Sequence, residues 1–105
     1  MNGGRCIVIT TTVGSAEAAE RIADAVIAER LAACVQSWPI SSRYRWQGAV
    51  AADSEIRLEM KTINERAEAL VARVAALHPY ELPEILVASV AASEAYAAWV
   101  EAETR

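Results

Sequence analysis

The sequence predicts an α+β sandwich in which strands and helices follow one another as β-α-β-β-α-β, with a further helix closing the chain. Three observations predict it: a two-residue apolar period at residues 56–62, two apolar stripes of helical spacing at 19–27 and 67–77, and a β-branched run near each end. A chain of 105 residues supports one domain with one core, burying roughly two-thirds of its unfolded surface. Residues 1–105 are therefore read as a single domain, with residues 1–4 expected to be disordered ahead of it.

The first strand is Arg5-Cys-Ile-Val-Ile followed by three Thr, apolar at consecutive positions and hence buried on both faces. Gly14-Ser15 punctuates the chain; Ser15 is a helix N-cap, and Glu17 puts negative charge near the positive end of the dipole. Ala19, Ile22, Ala23, Val26 and Ile27 form one stripe of a helix that ends near Glu29 or Arg30. Residues 31–35 lead into an extended stretch in which Ile40, Ser42, Tyr44 and Trp46 share a face, and Gly48 supplies a turn. Pro39 fits an edge or a bulge. Ile56, Leu58, Met60 and Thr62 then alternate with Arg57, Glu59 and Lys61, completing a hairpin. Thr62 with Glu65 matches a capping box opening a second helix, whose stripe is Ala67, Leu70, Val71, Val74 and Leu77. His78-Pro79 ends it, because proline restricts the preceding residue. Residues 85–90 form the last strand, and Ser93 caps a short helix carrying Tyr96, Trp99 and Val100.

This order is the split βαβ, or ferredoxin-like, pattern: a four-stranded antiparallel sheet with both long helices on one face. Its other face is open, although the first and last strands carry apolar residues on both sides. Two covers are available, sister subunits or the tail helix, and Arg57, Glu59 and Lys61 add polar groups to the same surface. The hydrophobic share is 54%, but 23 of these residues are Ala, so the core of one chain is modest. Burying further surface against copies of itself would stabilise it.

Net charge is −4, and no basic cluster exceeds Arg43-Tyr44-Arg45, which excludes a nucleic-acid binder relying on phosphate contacts. Apolar runs fall far short of the ~20 residues of a membrane span, and no signal-peptide core follows Met1; the chain reads as a cytoplasmic protein without membrane insertion. Cys6 and Cys34 are expected as free thiols, Cys34 as a small buried hydrophobe. There is no Gly-rich phosphate loop, no HExxH and no supportable Ser-His-Asp set, so an enzyme is not expected.

Several segments carry a more specific likeness: Val8-Ile-Thr-Thr-Thr, Glu29-Arg-Leu-Ala-Ala-Cys-Val, Tyr44-Arg-Trp-Gln-Gly, Glu59-Met-Lys-Thr and His78-Pro-Tyr-Glu-Leu-Pro-Glu-Ile, with Tyr96, Trp99 and the closing Glu-Thr-Arg. In this order and spacing, from about Cys6 to Arg105, the chain resembles the CutA divalent-cation-tolerance family. The resemblance implies a P-II-like homotrimer of ferredoxin-like protomers, associated with copper and other divalent cations that folding does not require. It also implies a ligand set of a first-strand thiol, the His of HPY and a following Glu, which maps to Thr11, His78 and Glu84. Thr11 departs from the pattern, because a hydroxyl is a far poorer ligand for soft copper than a thiolate.

His78 is the only histidine, and imidazole with carboxylates suits Cu(II) or Zn(II), yet one His and one or two Glu fall short of the three or four ligands a site needs. Its other reading is a cap at a helix C-terminus. Tyr44, Trp46, Tyr80 and Trp99, with Arg45, Lys61 and Glu84, either line a cleft between subunits or pack at an interface. Two functions follow: a weak metal-binding tolerance protein, or a P-II-like trimeric module that binds small molecules or signals without a physiological metal.

Overall fold

A β-branched run with apolar side chains on both faces belongs in the middle of a sheet, and that is where the first strand lies. The structure, a computed structural model, describes residues 3–105. Strand β1 (Gly4–Val13) is followed by α1 (Ala16–Ala28), β2 (Cys34–Trp46), β3 (Ala49–Thr62), α2 (Asn64–Leu77), β4 (Ile85–Ala92) and α3 (Glu94–Glu103). The sheet is antiparallel throughout, in the order β2-β3-β1-β4. This is the expected ferredoxin-like α+β architecture with an added C-terminal helix. Pro39 lies in β2, an edge strand, opposite Ile56 and without a bulge.

Register sorts the side chains into two faces. Ile7, Ile9, Thr11 and Val13 sit opposite Thr62, Met60, Leu58 and Ile56, and this face meets α1 and α2. Ile9, Ile22, Val26, Leu58, Met60, Leu70 and Val74 are fully buried there, each contributing about 1.5–3 kcal/mol of transfer free energy. The opposite face carries Cys6, Val8, Thr10 and Thr12 of β1 between Arg57, Glu59 and Lys61 of β3 and Leu86, Ala88 and Val90 of β4.

The tail helix covers one end of that second face. Ser93 caps it, accepting from the Tyr96 N–H at 3.2 Å. Tyr96 lies beside Cys34 and Cys6, and its phenol is pushed up by burial and then by the Cys34 thiol. Both cysteines are free. Burial also pushes the Cys6 thiol up, which suits an inert core position rather than a ligand. The helix end is tied down from the other side: Arg66 Nε donates to the Thr104 carbonyl at 2.7 Å and Arg30 Nε to that of Arg105 at 2.9 Å.

Two expectations are corrected. Gly4 is not disordered: it is buried and pairs with Ala92, because β4 runs on to meet it. A Cβ there would come within 2.6 Å of the Ser93 carbonyl oxygen and 2.8 Å of the Ala97 Cβ, so glycine is what lets α3 approach. Residues 1 and 2 of the expected disordered stretch lie outside the described residues. The Thr62–Glu65 capping box does not form either. Thr62 is the last residue of β3, its hydroxyl donates to the Leu31 carbonyl at 2.7 Å, and Ile63 is the N-cap without a side-chain bond. The first helix does start as expected, with Ser15 Oγ accepting from the Ala18 N–H at 3.1 Å.

Candidate functional site: a cleft beneath a projecting ribbon

Strand β3 pairs with β1 only over Ile56–Thr62, whereas its pairing with β2 runs on to Trp46↔Ala49. Residues 40–55 therefore leave the body as a two-stranded ribbon about 20 Å long, taking 3.3 Å per residue. Gln47 and Gly48 close it, both with positive φ (50° and 81°), the two-residue turn that matches strand twist. The ribbon, the end of β1 and residues 79–84 enclose a cleft of about 1120 Å³.

His78 fixes the floor of this cleft. The proline after it stops α2, and the ring turns inward instead of capping the helix: Nδ1 accepts from the Tyr80 N–H at 3.1 Å, which leaves Nε2 protonated to donate to the Thr12 carbonyl at 2.8 Å. Both ring nitrogens are thus engaged. Tyr80 packs on the imidazole, with centroids 4.8 Å apart, passes the bare Cα of Gly14, and donates from its hydroxyl to Glu55 Oε2 at 2.8 Å. Burial, and then the Glu55 carboxylate, push the Tyr80 phenol far up. Tyr44 donates to Asp53 on the same face of the ribbon, which raises its phenol as well.

The implied copper ligands are close in the chain's fold but do not converge. Thr11 lies on the helix-packed face, fully buried, and donates to the Glu84 backbone carbonyl at 2.6 Å. The Glu84 carboxylate faces Arg57 at 3.4 Å. With the imidazole bonded at both nitrogens and the hydroxyl committed, these side chains as arranged do not fit a closed copper centre within one chain. Among the described residues no group of three His, Cys, Asp or Glu is placed to hold a metal ion.

Of the cleft candidates, Tyr44, Arg45, Trp46, Tyr80 and Glu84 do line one space. Lys61 and Trp99 do not join them in a single chain. Lys61 contacts Gln36 and Glu59 near the other end of β3, and Trp99 packs on Tyr96 of α3 with centroids 5.7 Å apart. Sequence reasoning missed Asp53 and Glu55. The polar alternation Asp53, Glu55, Arg57, Glu59, Lys61 was the available signal, since it continues the strand beyond Ile56.

Fold and cleft together define the class: a ferredoxin-like α+β fold with a cleft beside a projecting ribbon. Comparison with known proteins gives the family. Residues 7–103 match the family described as CutA1 divalent ion tolerance protein. The chain is 44% identical over 99 residues to the divalent-cation tolerance protein CutA of Thermus thermophilus, covering 92% of this chain and 96% of that one. A solved structure described as the periplasmic divalent cation tolerance protein CutA of Archaeoglobus fulgidus superposes with a TM-score of 0.92 at 31% identity, over 95% and 99% of the two chains. The PII-like protein CutA of Nostoc, in apo form, superposes with a TM-score of 0.89 at 37% identity, over 94% and 97%. This chain belongs to the CutA1 divalent ion tolerance family.

Proposed function

We propose that the chain works as a homotrimer in divalent-cation tolerance, as a binding protein and not an enzyme, and that its ligand site is completed between subunits. One observation carries this reading. All six aromatic residues, three Trp and three Tyr, are between 38% and 45% exposed in the single chain. Aromatic side chains with a large apolar area and a polar tip concentrate at interfaces, and a bare two-stranded ribbon is marginal in water. Sister chains that cover the ribbon and the edge strand β4, where Leu86, Val87 and Val90 are exposed, answer both needs at once.

Copper or another divalent cation is held weakly on this reading. His78, Glu84 and Thr11 do not close around an ion in one chain, so neighbouring subunits supply any further donors, and folding does not depend on the ion. The cytoplasm is the proposed compartment, on the free thiols; no helix among the described residues is long and apolar enough to cross a membrane. Calorimetric titration of the assembled protein with Cu(II), repeated on His78→Ala, tests the metal contact. Dissociation constants weaker than about 1 μM are expected, with less heat in the variant. A tight stoichiometric site unaffected by His78→Ala would contradict it. The aromatic cleft supports a second reading, a P-II-like module whose physiological ligand is a small molecule and not a metal.

A further inference from the structure

We propose that residues 79–84 and a divalent cation compete for the His78 ring, so that cation contact and an ordered loop exclude each other. The inference rests on the first reading above, the weak metal contact at His78, and names how that contact is regulated.

The three side chains that the family resemblance implies as ligands are the fastenings of this loop. At its start the buried His78 ring accepts at Nδ1 from the Tyr80 N–H at 3.1 Å and donates from Nε2 to the Thr12 carbonyl at 2.8 Å. At its end the Thr11 hydroxyl donates to the Glu84 carbonyl at 2.6 Å, and the Glu84 carboxylate faces Arg57 at 3.4 Å. Between these points Leu82 is 72% exposed, and among the described residues no backbone hydrogen bond holds residues 81–83. Every one of these fastenings lies within one chain, so each protomer carries them whatever covers its sheet.

A metal contact uses the lone pair of a ring nitrogen, and here that lone pair is already engaged. Ligation at Nδ1 leaves the Tyr80 N–H without its acceptor. Ligation at Nε2 removes the Thr12 bond and moves the ring proton to Nδ1, where it opposes the Tyr80 N–H. Either route breaks the same bond. The Tyr80 N–H has no other partner among the described residues, and the Tyr80 phenol holds Glu55 at 2.8 Å. Losing the amide bond therefore loosens the loop and the inner end of the ribbon together. A ligand that must displace part of the fold binds more weakly, by the fraction of molecules already open. The coupling is reciprocal, so the cation loosens the loop by the factor through which the loop weakens the cation.

Site-resolved hydrogen exchange of the assembled protein during titration with Zn(II), with calorimetry of the same samples, tests the competition. Mg(II), which prefers oxygen ligands to imidazole, is the control. Zinc is expected to accelerate exchange of the Tyr80 amide at least about tenfold, in step with the heat of binding, while Mg(II) leaves it unchanged. Tyr80→Phe keeps the amide but releases Glu55, and it should bind zinc at least about threefold more tightly. Zinc binding that is lost in His78→Ala yet leaves the Tyr80 amide protected would overturn the competition and leave the metal contact standing. Equal acceleration by Mg(II), or unchanged affinity in Tyr80→Phe, would overturn it as well. Zinc binding that persists in His78→Ala, or no binding at all, would sink the metal contact and the competition with it. His78→Asn, whose amide oxygen can accept in place of Nδ1, serves should His78→Ala fail to fold.

Discussion

At the scale of residues, the cleft is organised by hydrogen bonds that span long sequence separations. His78 joins α2 to β1 through the Thr12 carbonyl, and Tyr80 joins the same loop to the ribbon through Glu55. The Tyr80 phenol sits above its ordinary value, so its sign is definite. A raised folded-state value contributes stability that is complete below the unfolded value near pH 10 and is lost as pH rises through the folded value. Wild type should therefore be more stable than Tyr80→Phe at pH 8, and its advantage should shrink as thermal unfolding is followed to pH 11; a constant difference would show that the proton is not involved. Replacing His78 by Ala removes two bonds of a buried ring and should cost about 2–4 kcal/mol in denaturant unfolding. A cost below about 0.5 kcal/mol would mean that the loop is held by other contacts.

Among elements, the chain's local signals were legible where periodicity or a cap stood behind them. Ile56, Leu58, Met60 and Thr62 spelled out the body of β3, Ser15 and Ser93 marked two helix starts, and His78-Pro79 marked the end of α2. The ribbon was only half legible, because the start of β3 is small residues, Ala49, Ala51 and Ala52, with no apolar alternation to read. Tyr80 and Glu55 are 25 residues apart, so their meeting is a tertiary fact that no local pattern encodes. Thr62 shows the opposite failure. Its spacing to Glu65 suits a cap, but β3 takes one more residue and spends the hydroxyl on Leu31. Thr62→Val should accordingly cost about 1–2 kcal/mol by leaving the Leu31 carbonyl unpartnered, while Glu65→Gln should cost no more than about 1 kcal/mol through the helix dipole; equal and large losses would restore the capping box. Gly4→Val should loosen α3 more than the core, since the new side chain meets the backbone of residues 92–93. Hydrogen exchange in α3, accelerated relative to α1, is the measurement, and uniform protection would contradict the close approach.

For the molecule as a whole, the body and the ribbon have different claims to independence. The body holds its own core between sheet and helices. Among the described residues the ribbon has no third strand and no helix to shield it, and the aromatic residues it carries are open to water. Its order, and with it the cleft, is a property of the assembly on the reading proposed here. Sedimentation equilibrium across a dilution series, paired with hydrogen exchange of residues 40–55, tests this most directly. The account predicts a mass of three chains that persists into the nanomolar range, with the ribbon protected. A single chain that stays folded, with that ribbon still protected, would contradict it.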